Sequence, residues 1–318
     1  MGVSVAEYFG QRTDIDTENI IPVEIPPKKK EREKLNWDKS IPICPFTSGN
    51  PCKKLNSAYE PICSVRKPDG TLWICCSDRL CATKKNLALS TYQSNILLDV
   101  GKHIFSPDVT KDDICVKREE RLSVIEGTDY NADYIILLKN GRSPFSGPDR
   151  MILEMQGGGE TTNTGNLTSH VKAWRELSTP VNAVLRQDTK ASTLETNAWR
   201  RQQEQFIVKG NIAMKTWKGY GIAFCVGTLL YDYLMGKLVS ANLPDLRDYN
   251  WTLAVIAFKE DTSSPISSGP IPLIVDEKRM LFTNYQTFVQ ALINQGEPSL
   301  KAFRGSFINL NNEEIMLD

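Results

Sequence analysis

Two neighbouring segments near the middle of the chain alternate between apolar and polar residues, the two-residue period of a half-buried β-strand. In residues 151–156 (MILEMQ) one face is apolar, whereas the other face carries Glu154 and Gln156. Residues 132–138 (ADYIILL) form a second such segment, near the start of which lies Asp133. The stretch between the two segments is rich in Gly, Pro and Ser and predicts a hairpin-like return. The sequence therefore predicts two adjacent strands that carry Asp133 and Glu154.

Helices and further strands are predicted on both sides of these segments. Helices are predicted over residues 83–101, 109–122, 168–186, 193–217 and 279–295, with Gly101 as a helix end and a break near Pro180. Buried strands are predicted over residues 220–230 and 251–258, and a short helix is predicted to end at Gly10. This mixture indicates an α/β (α+β) fold in which a mixed sheet is flanked by helices.

The charge balance limits the classes of partner. The chain of 318 residues has 38 acidic and 38 basic side chains, so its net charge is zero. This excludes a globally basic nucleic-acid-binding protein, but it does not exclude a local basic groove. We find no secretory signal and no apolar run long enough to span a bilayer, and therefore expect a cytoplasmic protein with no membrane partner.

Cysteine usage indicates a metal-binding module ahead of the two central strands. Most of the 8 cysteines lie between Cys44 and Cys81. In a reducing cytoplasm, clustered cysteines bind metal more often than they form disulfides. Residues 40–82 contain few other apolar residues, so a bound metal is expected to stabilise their fold. The ligands would be Cys44, Cys52, Cys63 and either Cys75 or Cys76, and the alternative is a set of reduced, buried thiols.

Two carboxylates on adjacent strands suit a hard cation such as Mg²⁺, which prefers oxygen ligands and retains several waters. An ion held by Asp133 and Glu154 would activate a water and stabilise negative charge on phosphorus. Asp followed by Glu-x-Gln is a PD-(D/E)xK-type pattern in which Gln156 replaces the lysine, and a neutral amide offers no positive charge. Glu120, near the end of the helix predicted over residues 109–122, is a candidate for a further carboxylate or an ordinary solvated acid.

Polar side chains on two predicted helices are candidates for contacts with DNA. Arg and Gln read base edges, and Lys binds phosphates. On the helix predicted over residues 193–217 the candidates are Arg200, Arg201, Gln202, Gln205 and Lys209, and on the helix over residues 168–186 they are Lys172 and Arg175. The alternative interpretation is that both faces are simply solvated.

Several segments, in the same order along the chain, resemble the NotI family of type II restriction endonucleases. They are EYFGQR (7–12), ICPF (43–46), the single Cys52 and Cys63, CCSDRLC (75–81), ADYIILL (132–138), ILEMQ (152–156) and NWTLAVIAF (250–258). The resemblance extends over most of the chain. It includes the Glu-x-Gln ending and a four-cysteine site before the catalytic strands.

This resemblance implies a homodimeric, Mg²⁺-dependent endonuclease that cuts both strands of a palindromic site in double-stranded DNA. It implies an N-terminal segment with a four-cysteine metal-binding module in residues 1–82 and a PD-(D/E)xK restriction-endonuclease-like core in residues 83–318. Asp133 and Glu154 would bind Mg²⁺, with Gln156 as the third member of the motif. The ligands of a structural iron or zinc ion would be Cys44, Cys52, Cys63 and Cys76, whereas Cys75 and Cys81 depart from the family pattern.

A non-catalytic DNA- or protein-binding module built around the cysteine site is the alternative hypothesis. In such a protein Glu154 would serve in a structural ion pair. The two hypotheses differ in whether purified protein cuts DNA when Mg²⁺ is present.

Overall fold

The computed structural model describes residues 2–84, 88–124, 127–139, 147–216, 220–238, 242–294 and 299–317. In this part of the chain a four-stranded sheet lies near the N-terminus, a six-stranded sheet follows it, and two smaller sheets have two strands each. Helices pack on both faces of the six-stranded sheet. The mixed sheet flanked by helices, predicted from the sequence, is confirmed.

The N-terminal sheet is antiparallel, and its strands follow the order β2-β1-β3-β4. Its strands are β1 (Ser4–Tyr8), β2 (Gln11–Arg12), β3 (Ile62–Arg66) and β4 (Leu72–Ile74). Three short helices accompany it, α1 (Lys29–Arg32), α2 (Lys53–Asn56) and α3 (Ser77–Cys81). The helix predicted to end at Gly10 is absent, because Gly10 has φ 74° and lies in the tight turn between β1 and β2. Left-handed backbone of this kind favours glycine.

The middle of the chain contributes the next elements. They are α4 (Thr91–Ile104), β5 (Ile114–Leu122), β6 (Tyr130–Leu138), β7 (Arg150–Gln156), β8 (Thr161–Thr162), α5 (Thr164–Arg175), α6 (Asn182–Leu185), β9 (Ser192–Thr193) and α7 (Glu195–Lys215). The last part contributes β10 (Gly221–Gly227), α8 (Thr228–Leu238), β11 (Leu253–Glu260), β12 (Leu273–Thr283), α9 (Tyr285–Ile293), a 3-10 turn (Leu300–Phe303), β13 (Gly305–Ile308) and β14 (Glu314–Leu317). Among the described residues, no helix is both long and apolar enough to cross a membrane.

The six-stranded sheet follows the order β12-β11-β10-β7-β6-β5. Its centre is parallel, since β10 pairs in parallel with both β7 and β11, and its two edges are antiparallel. Every residue of β10 is buried, as expected for a central strand covered on both faces. The predicted strands over residues 132–138, 151–156, 220–230 and 251–258 are confirmed as β6, β7, β10 and β11, although Thr228, Leu229 and Leu230 belong to α8.

Two hydrophobic cores lie on opposite faces of this sheet. On one face, α4 packs through Ile96 and Val100 against apolar side chains of β7 and β10, and we call this cluster the α4 core. On the other face, α7, α8 and α9 pack against Ile152 and Phe224. Trp73 of the N-terminal sheet belongs to this second core, so the two sheets share apolar packing.

The helix predicted over residues 109–122 is wrong, because Ile114–Leu122 is the edge strand β5. Its run of Lys, Arg and Glu favours a helix by intrinsic propensity. The side chains of Ile114 and Val116 nonetheless alternate with exposed residues and pack beside the α4 core. Pairing with the whole length of β6 overrides the propensity.

Two other helix boundaries also differ from the prediction. Helix α4 begins at Thr91, because Ser90 and Gln93 form a capping box, and it continues past Gly101 to Ile104. The helix predicted over residues 279–295 divides into the end of β12 and α9. The helices predicted over residues 168–186, with the break near Pro180, and over residues 193–217 are confirmed as α5, α6 and α7.

A fully buried ion pair joins the N-terminal sheet to the rest of the molecule. Arg79 Nε of α3 lies 2.7 Å from Glu7 Oε2 of β1, and both side chains have no exposed area. Glu7 also accepts hydrogen bonds from Ser64 of β3 and from the backbone amide of Ile271 ahead of β12. Arg79 in turn reaches the Tyr92 hydroxyl on α4. This network fixes α3 and β1 against the larger sheet.

We predict that Glu7→Gln lowers the unfolding free energy by about 3–5 kcal/mol, because it leaves the Arg79 charge buried without its carboxylate. Urea unfolding at neutral pH measures this loss. The matched control is Glu24→Gln, which removes an exposed pair with Lys39 and should cost less than about 1 kcal/mol. Equal losses in the two variants would contradict the role of the buried pair.

Candidate metal-binding and DNA-binding site

Asp133 of β6 and Glu154 of β7 face each other where the pairing of the two strands ends. The last paired residues are Tyr134, next to Asp133, and Leu153, next to Glu154. Beyond these residues, backbone amides donate hydrogen bonds to the two carboxylates. The Met155 amide donates to Asp133 Oδ2 at 2.8 Å, and the Asp133 amide donates to Glu154 Oε1 at 3.3 Å. The antiparallel pairing of β6 and β7 therefore brings the two predicted carboxylates together.

The environment of these two groups disfavours two negative charges. Burial, and then the charge of Asp133, raise the pKa of Glu154 to about 7, although the ammonium of Lys209 lowers it in part. Burial also raises the pKa of Asp133 above its ordinary value. Ionisation of both groups at once is therefore unfavourable, and a nearby positive charge reduces that cost.

Lys209 of α7 provides one positive charge to this pair. Its Nζ lies 2.6 Å from Glu154 Oε2, and the lysine is only 1% exposed. The prediction that Lys209 lies on the DNA-facing surface with Arg200 is wrong. The helical period contained a signal for this, because residue 209 falls on one stripe with the buried Phe206 and Ala213.

Gln156 is held entirely by the protein. Its Oε1 accepts a hydrogen bond from Gln202 Nε2 at 2.8 Å, and its Nε2 donates to the Gly158 carbonyl. The amide thus links the end of β7 to α7. Among the described residues, the basic side chain that forms an ion pair with Glu154 is Lys209, which comes from a helix and not from β7.

Glu120 lies on β5 opposite Ala132, and it is half-buried. On β5, Arg118 pairs with Tyr134 and Glu120 pairs with Ala132. The residue between them, Glu119, therefore lies at the level of Asp133 on β6. The charge of Glu119 contributes to the raised pKa of Asp133. The carboxylate nearest to the pair in charge effect is therefore Glu119. The sequence pointed to both acids as possible contributors and singled out Glu120, and it placed both on a helix instead of the strand β5.

A cleft of about 530 Å³, which we call the α7 cleft, opens at the end of β7, and neither Asp133 nor Glu154 lines it. It is lined on one side by Arg201, Gln202 and Gln205 of α7 and on the other by Lys53 and Lys54 of α2. Its floor is the end of β7 with the glycines at 157–159. The predicted residues Arg201, Gln202 and Gln205 thus share one surface, and the two lysines of the cysteine module join them.

The remaining DNA-binding candidates lie apart from the lining of the α7 cleft. Arg200 is exposed on α7 and does not line the cleft. Arg201, which does line the cleft, forms an ion pair of 2.7 Å with Glu160. On α5, Lys172 is exposed near Glu176, whereas Arg175 pairs with the buried Glu60 at 3.2 Å. Arg175 therefore has a structural partner.

The glycines at 157–159 are explained by close backbone packing. A side chain at Gly157 would meet Ile74, one at Gly158 would meet Trp73, and the Gly227 amide donates to the Gly157 carbonyl at 2.7 Å. Only glycine permits this approach of the loop to β4 and β10.

The cysteines divide into different environments. Cys44, Cys52 and Cys63 form one small core with Phe46 and Leu55. Burial raises the pKa of Cys44 to about 12 and also raises the pKa of Cys63, and the charge of Cys76 adds a smaller upward contribution to both. Cys81 instead packs in the α4 core beside the Tyr134 hydroxyl, and Cys75 packs against the opposite core.

The donor chemistry of both groups suits the expected ions. Mg²⁺ is commonly held by one or two carboxylates with waters, and Asp133 and Glu154 provide two. The four thiols around Cys44 would suit iron or zinc, and the Gly10 amide already donates to Cys63 Sγ at 3.3 Å. Among the described residues, however, no three Cys, His, Asp or Glu side chains are placed to hold one ion together.

Comparison with known proteins gives no family assignment. No protein-family model matches the chain, and no curated protein matches its sequence.

We predict that the metal-free protein loses stability between pH 4.5 and about 7 through Glu154, because folding raises the pKa of this group from 4.5 to about 7. The contribution of Glu154 to the unfolding free energy is fully present below pH 4.5 and is lost as the pH rises through about 7. Urea unfolding across this pH range, in a chelating buffer, should show a smaller decline for Glu154→Gln than for the parent.

The matched control is Glu160→Gln, which changes an exposed carboxylate on the same side of the cleft. It should decline like the parent protein. A Glu154→Gln protein with the same pH slope as the parent would contradict the buried, neutralised state of Glu154.

Proposed function

We propose that the protein is a type II restriction endonuclease that hydrolyses phosphodiester bonds in both strands of a palindromic site in double-stranded DNA and depends on Mg²⁺. The observation that carries this proposal is the pair of carboxylates on adjacent antiparallel strands, Asp133 and Glu154, which share backbone amides across the strand end. A buried carboxylate beside a half-buried one is unfavourable without a metal, and a divalent ion with its waters relieves that cost.

The fold is consistent with this proposal. A PD-(D/E)xK restriction-endonuclease-like core has a mixed sheet flanked by helices, and β6 and β7 lie inside such a sheet. The segments that resemble the NotI family include these two strands and Gln156.

The residues of the site have distinct roles in this proposal. Asp133 and Glu154 would hold Mg²⁺, which supplies a more acidic bound water and a Lewis acid for the phosphate oxygens. Gln156 orients α7 through Gln202, and so connects the carboxylates to the α7 cleft. In the hydrolysis, a water oxygen forms a bond to phosphorus while the bond from phosphorus to a sugar oxygen breaks. The water loses a proton, and the departing sugar oxygen takes up a proton.

The α7 cleft is the proposed route of the DNA backbone, because it opens at the end of β7, the strand that carries Glu154. Lys53 and Lys54 provide positive charge from one wall, and Arg201 and Gln205 provide donors from the other. Lysine and arginine contacts to phosphate supply most of the non-specific affinity for DNA. The local basic groove would coexist with a net charge of zero.

The ion pair between Glu154 and Lys209 is also what a non-catalytic binding module would contain. The position of Asp133 favours the enzyme. It adds a second carboxylate at the same place, and no basic side chain in the described part of the chain forms an ion pair with it. A structural ion pair alone has no use for this second negative charge.

For the N-terminal region we propose a structural iron or zinc ion held by Cys44, Cys52, Cys63 and Cys76, and for the protein a cytoplasmic homodimer. The separation of Cys75 and Cys81 from this group supports Cys76 as the fourth ligand. Elemental analysis should find about one iron or zinc per chain, lost in Cys76→Ser and kept in Cys81→Ser. Metal loss in both variants, or in neither, would contradict this ligand set.

We predict that Asp133→Ala lowers the rate of plasmid cleavage in Mg²⁺ on the order of a hundredfold or more, because the charge stabilisation at the phosphate is lost. Binding of the same DNA in Ca²⁺, measured by gel shift, should change little. Asp149→Ala, an exposed acid ahead of β7, is the control and should cleave like the parent.

Intact plasmid after incubation with the parent protein would overturn the proposal, as would an Asp133→Ala protein that cleaves at the parent rate. Loss of folding in the variant is recognised by its melting temperature and by its retained or lost DNA binding.

A further inference from the structure

A separate cavity adjoins the α7 cleft and has no role in the proposed hydrolysis. Its volume is about 370 Å³, and we call it the Glu60 pocket after the acid in its lining. The lining also includes the buried apolar side chains of Ile62 and Leu167 and the hydroxyl-bearing side chains of Thr161 and Thr164. Mostly apolar walls with a few polar groups are typical of a small-molecule site.

The usual pattern of burial is inverted at two adjacent residues of this lining. Tyr59 is 67% exposed, whereas Glu60 is 8% exposed. The backbone turns just before them at Ala58, whose φ of 60° lies in the left-handed region that few residues other than glycine adopt. Carboxylates are rarely buried without full pairing, and an aromatic ring gains free energy when it leaves water. Stability alone therefore does not explain why the acid is inside and the ring is outside.

The carboxylate of Glu60 is only partly satisfied by the protein. Its Oε1 lies 3.2 Å from Arg175 Nη2, but its Oε2 is buried and has no hydrogen-bond partner among the described residues. Arg175 Nε is buried without a partner as well, so the pair lacks the two parallel hydrogen bonds of a complete arginine–carboxylate fork. A buried acceptor without a donor is costly, and a ligand that supplies an N–H group would remove that cost.

The Glu60 pocket and the α7 cleft share part of their lining. Lys54 and Tyr59 line both cavities, whereas Glu60 lines the pocket and not the cleft. Lys54 offers an ammonium group to a phosphate, and the exposed ring of Tyr59 offers a surface on which a flat ring can stack. A cation, an aromatic ring and a buried acceptor together match the phosphate, the base and the amino group of a nucleotide.

We propose that the Glu60 pocket binds a nucleobase that carries an exocyclic amino group, with the free oxygen of Glu60 accepting a hydrogen bond from that group. A carboxylate accepts from the N4 amino group of cytosine, and it is repelled by the O4 oxygen that uracil and thymine carry at the same place. The base comes from a free nucleotide or from DNA in the α7 cleft. The DNA source rests on the proposed function, and it requires that the base leave the stack.

Two nucleotides that differ at this one substituent test the pocket. Cytidine 5′-monophosphate has an amino group where uridine 5′-monophosphate has an oxygen, and titration calorimetry at pH 8 measures the affinity of the full chain for each. We expect the cytidine nucleotide to bind about tenfold more tightly or better, because only it gives Glu60 a donor. Glu60→Gln should abolish the preference, since an amide donates to O4 as readily as it accepts from N4. Glu176→Gln, which changes an exposed acid outside the pocket, should keep it.

A second pair of variants leaves the buried acid in place, so that it does not depend on the folding of Glu60→Gln. Tyr59→Ala removes the ring that lines both cavities, and Tyr249→Ala removes a ring of the same exposed fraction, 67%, that lines neither. We expect Tyr59→Ala to weaken both nucleotides about tenfold, with their ratio unchanged, because stacking does not distinguish the two bases. Tyr249→Ala should bind like the parent.

Two DNA duplexes distinguish the sources of the base. They share one sequence and differ in a single unpaired base, a bulged cytosine in one and a bulged thymine in the other. If DNA supplies the base, a gel shift without divalent ions should show about tenfold tighter binding of the cytosine bulge by the parent protein, and no such difference with Glu60→Gln. Equal binding of the two bulges, together with a preference for the cytidine nucleotide, identifies a free nucleotide as the ligand.

The inference is overturned if neither the two nucleotides nor the two bulges differ in affinity, if Glu60→Gln keeps the preference, or if Tyr59→Ala binds like Tyr249→Ala. None of these measurements contains Mg²⁺ or follows cleavage. A protein that never cuts DNA would therefore end the proposed function, while the nucleotide titrations would still report on the Glu60 pocket.

Discussion

Burial of Glu154 beside Asp133 is the constraint on which the site depends. A carboxylate in the core needs a positive partner, and α7 supplies it through Lys209. The ion pair joins α7 to β7, and the hydrogen bond between Gln202 and Gln156 is a second contact between the same two elements. These contacts fix the face of α7 that forms one wall of the cleft.

The opposite wall of the cleft belongs to the cysteine module, and it is positioned by a second buried charge pair. Glu7 and Arg79 join β1, α3, α4 and the segment ahead of β12. The module packs into the same apolar core as the large sheet through Trp73. Residues 1–82 therefore share a core with residues 83–318, and both parts of the chain contribute side chains to the cleft.

The sequence predicted the strands β6, β7, β10 and β11, because period-two alternation and apolar runs report burial directly. It also placed Asp133 near Glu154. It failed at β5, where charged residues of high helix propensity pair along β6, and at Lys209, whose burial depends on a partner distant in sequence. The lysines of α2 could not be assigned to the cleft, because their place follows from the packing of two sheets.

The central claim is that the carboxylate pair cuts DNA at a specific site. Digestion of a sequenced genome with the purified protein in Mg²⁺, followed by mapping of all new ends, tests it most directly. The account predicts ends at one palindromic sequence, cut on both strands, with none when Mg²⁺ is chelated. Intact DNA, or ends that share no sequence, would contradict it.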